Sequence, residues 1–191
     1  MEALKIDEET PDDEIIRIVA EKLLKKSVIV YPTDTVYGIG CTLDEQPVKR
    51  IRELKGRKNQ TPLSVAFSNI EQIRHYTIIT PEQEKTINKL KHEGTTFILR
   101  KKNIPDYVTA GLPTVGVRIP DNNICKKLIE KIGPIITTSA NPTGKPAPTK
   151  VEEINEMITS GVDIVVDGGP CKYARPSKII DLTQEGKILR A

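Results

Sequence analysis

Thr114-Val115-Gly116-Val117-Arg118-Ile119-Pro120-Asp121, followed by one helical repeat and then Gly133-Pro134-Ile135-Ile136-Thr137-Thr138, is the stretch whose reading sets the fold class. The apolar run ends at Pro120, which has no amide proton to give to a ladder. Asp121 is placed to cap a helix in which Ile124, Leu128 and Ile132 recur at four-residue spacing, and Gly133 can close it. Residues 134–138 then read as a second buried strand. Strand, helix and strand in direct succession argue for an α/β protein.

The same alternation extends both ways. Upstream, Thr10-Pro11-Asp12-Asp13 reads as a helix start with Thr10 as the cap, and Ile15, Val19 and Leu23 carry that helix to about Lys26. Residues 28–31 form a buried strand stopped by Pro32. A helix over 47–54 places Val48, Ile51 and Leu54 on one face and ends at Gly56. A strand over 62–67 follows, then a capping box at Thr80-Pro81-Glu82-Gln83 whose helix stops at Gly94, and a strand over 95–99. Downstream, residues 142–148 form a rigid, proline-rich loop. Thr149-x-x-Glu152 predicts a cap for a helix bearing Ile154 and Ile158. A strand over 163–166 and a hairpin, 178–182 with 187–189 around Glu185-Gly186, complete the reading. The expectation is a single-domain α/β protein, a twisted mixed sheet flanked by helices, with no repeat or linker dividing residues 1–191.

Composition narrows the chemistry. The chain has 191 residues, enough for one self-sufficient core, and with aromatics at 4 % that core must be built from Ile, Val and Leu. A net charge of +3 permits an anionic ligand without demanding nucleic acid. The three cysteines, Cys41, Cys125 and Cys171, form no C-x-x-C pair and suit a reducing cytoplasm better than a disulfide framework. The two histidines share no ligand-like spacing with them, so no protein metal centre is expected. No signal peptide and no membrane-length apolar run is seen. Walker A and Rossmann glycine patterns are missing. With so few histidines, an enzyme here should work by positioning and charge stabilisation rather than by a Ser-His-Asp nucleophile.

Four loops offer that chemistry. Pro32-Thr33-Asp34-Thr35-Val36-Tyr37-Gly38-Ile39-Gly40 reads as a polar loop leaving a strand. Lys55-Gly56-Arg57-Lys58 is either a cation cluster complementing a helix C-terminus or a phosphate clamp. Strand alternation puts Thr114, Gly116 and Arg118 opposite Val115, Val117 and Ile119, which makes the polar face a candidate ligand wall. Thr137-Thr138-Ser139-Ala140-Asn141 supplies hydroxyl and amide groups suited to phosphate or carboxylate. Taken singly, each is as good a cap or turn as a site.

Taken in order, they resemble one family. Pro32-Thr-Asp-Thr-Val-Tyr-Gly-Ile-Gly40, Lys55-Gly-Arg57, Val115-Gly-Val-Arg-Ile-Pro120, Ser139-Ala-Asn141 and Pro176-Ser177 are similar, over about residues 10 to 190, to the YrdC family of threonylcarbamoyl-AMP synthases. The resemblance implies a YrdC-like fold with an open basic cavity. It implies a nucleotidyltransferase that joins L-threonine, bicarbonate and ATP, the last accompanied by Mg²⁺. A downstream tRNA threonylcarbamoyl transferase would use the product. By motif, Thr35, Arg118, Thr137 and Ser177 resemble threonine-binding positions. Lys55, Arg57, Thr61, Thr114, Ser139, Asn141, Ala147 and Arg190 resemble ATP-binding ones, with Lys55 and Arg57 as the catalytic pair read as exposed cations facing the ligand. Ala66 stands where some members have a threonine-binding His, a contact then lost or replaced by Ser64. Longer members carry an extra C-terminal domain, so a chain ending at Ala191 resembles the minimal form.

Two other readings compete. One is a non-enzymatic module of the same fold that binds tRNA or double-stranded RNA, although aromatic residues for base stacking are few. The other is a paralogue with a related carbamoyl-adenylate chemistry.

Overall fold

In the computed structural model, which describes residues 3–56, 61–184 and 186–191, strands and helices alternate through the chain. Their order is β1 (Ala3–Lys5), α1 (Asp13–Leu24), β2 (Ile29–Tyr31), β3 (Gly38–Cys41), α2 (Glu45–Leu54), β4 (Ser64–Ala66), α3 (Ile70–Tyr76), β5 (Thr77–Ile78), α4 (Pro81–Leu90), β6 (Thr95–Lys101), α5 (Asp106–Thr109), β7 (Thr114–Arg118), α6 (Asn123–Ile132), β8 (Ile135–Ser139), α7 (Glu156–Gly161), β9 (Ile164–Asp167), β10 (Lys178–Asp181) and β11 (Lys187–Arg190). The strands form one mixed sheet in the order β1-β9-β2-β3-β8-β4-β7-β6-β10-β11, with β5 attached to β6. β4 runs parallel to β7 and antiparallel to β8, so the two strands quoted at the outset lie one strand apart and point in opposite directions.

Alternation sorts side chains onto two faces. Val30, Ile39, Val65, Val117 and Ile136 point to one face and pack with Val48 and Ile51 of α2, Ile87 of α4 and Ile158 of α7. Ile29, Tyr31, Ala66, Ile135 and Ile164 point to the other and pack under α1 and α6 through Val19, Leu23, Leu128 and Ile129. Those two helices leave part of this second face uncovered. There β8 continues from Ile135 to Thr137 and Ser139, and β4 presents Ser64.

Several boundaries differ from expectation. Asp12, not Thr10, caps α1, its carboxylate accepting from the Glu14 and Ile15 amides, while Thr10 bonds Asp7. Asn122, not Asp121, caps α6, and Asp121 instead pairs with Lys172 and His92. The helix expected after Thr149 is split. Thr149 bonds Glu153 across a short 3-10 turn, and Asn155 caps α7. The capping box of α4 is present as read. Helix α3 is absent from the sequence reading, and so is β3, for Gly38–Cys41 is a buried strand between β2 and β8 rather than a loop end. Gly40 is needed there because a Cβ would lie 2.7 Å from both the Tyr31 ring and the Ile136 carbonyl oxygen.

Candidate active site

The uncovered part of the second sheet face is a cavity of about 240 Å³. Thr35, Ser64, Thr96, Arg118, Thr137, Ser139, Ser177 and Arg190 are among the side chains that line it, and no carboxylate does among the described residues. Its interior is thus hydroxyl-rich with two guanidinium groups, a donor set suited to an anion.

The Pro32–Tyr37 turn supplies the first wall. Thr33 Oγ1 donates to the Val36 carbonyl (2.7 Å) and accepts from the Thr35 amide (3.2 Å). With that proton committed, the 3.0 Å contact between the two hydroxyls makes Thr35 the donor to Thr33. Thr35 Oγ1 in turn accepts from Arg118 Nη1 at 2.9 Å. Arg118 Nη2 donates to Asp34 Oδ1, an ion pair whose side chains are 7 % and 0 % exposed. Burial pushes the Asp34 pKa up, and the Arg118 charge pulls against it. Arg118 Nε is buried and makes no hydrogen bond within the protein. The guanidinium is fixed on two sides by Thr35 and Asp34, and because Arg118 lines the cavity its remaining Nη hydrogens, not the buried Nε, are the donors open to a ligand.

The opposite wall belongs to the C-terminal hairpin. Arg190 donates through Nε to the Ser177 carbonyl (2.7 Å) and through Nη2 to Ser177 Oγ (2.9 Å), and that hydroxyl lies 2.9 Å from Thr96 Oγ1. Burial, and then the Arg118 charge, lower the Arg190 pKa. The two guanidinium groups feel each other, and an anion between them would relieve both. On the floor, a Cβ on Gly116 would stand 2.6 Å from Ser64 Oγ and 3.4 Å from Thr96 Cγ2, so glycine preserves the space.

All four residues placed by resemblance on the amino acid, Thr35, Arg118, Thr137 and Ser177, line this one cavity, as do Thr61, Ser139 and Arg190 of the nucleotide set. Thr114, Asn141 and Ala147 do not line it, and Arg57 falls outside the described residues. Lys55 is not the exposed cation that was expected. It is 1 % exposed, and its ammonium donates to the Ser139 carbonyl, the Asn141 carbonyl (2.7 Å) and Asn141 Oδ1 (3.4 Å). Its own carbonyl accepts from the Thr143 amide (3.1 Å) and hydroxyl (2.9 Å). The end of α2 is thereby tied to the Ser139–Thr143 turn. Ala66 is buried in the core under α1 and α6, while Ser64 two residues earlier reaches the cavity. Thr96 was missed, although strand alternation within 95–99 sets it opposite Phe97 and Leu99. The cysteines contribute no nucleophile. All three are free and buried, and burial raises each thiol pKa, that of Cys171 to about 11.

A family model described as "Telomere recombination", that of the Sua5/YciO/YrdC proteins, matches residues 21–191. The chain belongs to this family. It is 36 % identical over 177 residues to a putative threonylcarbamoyl-AMP synthase of Methanocaldococcus jannaschii, covering 92 % of this chain and 83 % of that protein. It is 38 % identical over 178 residues to the threonylcarbamoyl-AMP synthase of Pyrococcus abyssi, covering 91 % of this chain but 52 % of the relative, so it spans about half that protein's length. Among solved structures, P. abyssi Sua5 complexed with L-threonine superposes with a TM-score of 0.88 at 35 % identity, covering 96 % of this chain and 55 % of the other. Escherichia coli YciO superposes at 0.89 with 26 % identity, covering 99 % and 94 %. The family's mixed sheet agrees with the architecture read from the strand and helix succession.

Proposed function

We propose that this chain is a threonylcarbamoyl-AMP synthase, a nucleotidyltransferase acting on L-threonine, bicarbonate and ATP. The observation that carries the reading is the convergence of Thr35, Arg118, Thr137 and Ser177 on one cavity in a chain whose relatives bear that name. Arg118, fixed by Asp34 and Thr35, receives the threonine carboxylate on its remaining donors. The amine attacks the bicarbonate carbon with loss of water. A carbamate oxygen then attacks the α-phosphorus of ATP, and pyrophosphate leaves.

A cavity of about 240 Å³ suits an amino acid, so the nucleotide extends past it toward Thr61, Ser139 and Arg190. Lys55 and Asn141 shape that side through the turn they share, Arg57 meets the triphosphate, and Thr114 and Ala147 stand outside the first ring of contacts. Mg²⁺ would accompany ATP, held mostly by phosphate oxygens and water, and would neutralise part of the triphosphate charge. The product passes to a tRNA threonylcarbamoyl transferase in the cytoplasm. The names of the relatives do not favour the RNA-binding module.

Pyrophosphate release from ATP by the purified protein tests this reading. It should require both threonine and bicarbonate. Release indifferent to threonine would remove the synthase reading and leave the related carbamoyl-adenylate chemistry to be examined.

A further inference from the structure

Helix α2 buries an unusual stripe. Val48, Ile51, Arg52 and Lys55 follow the i, i+3, i+4, i+7 spacing that faces a core, and all four are buried. Lys55 serves the Ser139–Thr143 turn. Arg52 has no such evident reason to be inside. It is 4 % exposed and forms no ion pair among the described residues. Nη2 donates to the Thr61 carbonyl (3.2 Å) and the Val108 carbonyl (3.3 Å), and Nε has no hydrogen-bond partner. Burial alone lowers its pKa. A buried guanidinium compensated only by carbonyls is an unfavourable choice for packing, because an apolar side chain of similar length avoids the desolvation cost. The Val108 carbonyl already accepts from the Leu63 amide, so what Arg52 alone provides is the donor to Thr61.

We propose that Arg52 is a positioning residue for nucleotide binding. From inside the protein it holds the carbonyl of Thr61, a residue whose side is turned to the cavity. Lys55, a turn further along the same buried stripe, ties the end of α2 to the Ser139–Thr143 turn. The helix thus commits two buried cations to backbone carbonyls, and stability is exchanged for geometry. The inference rests on the synthase reading, which places the nucleotide beside Thr61.

The test uses the full chain, with Arg52→Met, Arg52→Gln and Arg52→Lys. Binding of a non-hydrolysable ATP analogue is measured by calorimetry beside KM for ATP, KM for threonine and the melting temperature. Arg52→Met should weaken nucleotide binding about tenfold, the worth of a hydrogen bond from a charged donor, with KM for threonine within about twofold. Its melting temperature should be unchanged or higher, because a buried charge has been removed. Arg52→Lys, which can still donate to Thr61, should recover part of the loss. Wild-type nucleotide affinity in Arg52→Met overturns the proposal, and so does a fall in melting temperature with nucleotide and threonine binding weakened alike. If Arg52→Met does not fold, Arg52→Gln is judged by the same criteria. Should the wild type bind the analogue yet release no threonine-dependent pyrophosphate, the synthase reading fails while the binding comparison still decides the role of Arg52.

Discussion

Arg118 shows how one buried charge organises the site. Its partner Asp34 is fully buried, so each group makes the other tolerable. Removing one partner of such a pair leaves an uncompensated charge, at a cost of about 3 kcal/mol. Asp34→Asn should therefore lower the unfolding free energy by about that amount in urea titrations, and Asp34→Asn/Arg118→Met should recover most of it. A double variant no more stable than Asp34→Asn would show that the pair is not the source of the cost. Arg118 was legible in the sequence, because alternation in a short apolar strand leaves it facing away from Val115 and Val117. Lys55 was only half legible. A cation after a helix reads as a C-terminal cap, and nothing local shows that the acceptors come from a turn more than eighty residues away.

At the scale of elements, the glycines of β3 and β7 have different tasks. At Gly40 an added methyl meets the Ile136 carbonyl and the Tyr31 ring, neither of which can withdraw, since both belong to the packed sheet. At Gly116 it meets the Ser64 hydroxyl, which can rotate, but into the cavity. Gly40→Ala should destabilise the fold by about 1–3 kcal/mol. Gly116→Ala should leave the melting temperature near wild type and weaken threonine binding roughly tenfold, as one misplaced methyl in a pocket does. Equal effects of the two on stability would contradict this division. The same packing explains why β3 escaped sequence reading. Gly38-Ile39-Gly40-Cys41 has low strand propensity, and its glycines make sense only once the Tyr31 ring lies across them. The split near Thr149 escaped for a different reason. Glu152 stands at capping-box spacing from Thr149, but Glu153, one residue further on, accepts from the Thr149 amide and hydroxyl.

For the whole molecule, the mixed sheet and its flanking helices were legible because strand and helix periods alternate cleanly. The uncovered half-face was not, since it depends on how far α1 and α6 reach across the sheet. That gap lets residues distant in sequence, Thr35, Arg118, Thr137 and Ser177, share one space. The central claim is that the space holds threonine while its carbamate is adenylylated. Mass spectrometry of the products formed from ¹³C-bicarbonate, L-threonine and ATP by the purified protein tests it most directly. The account predicts threonylcarbamoyl-AMP carrying one ¹³C atom, formed only when threonine is present. AMP and pyrophosphate with no labelled adduct, or a labelled adenylate formed without threonine, would contradict it.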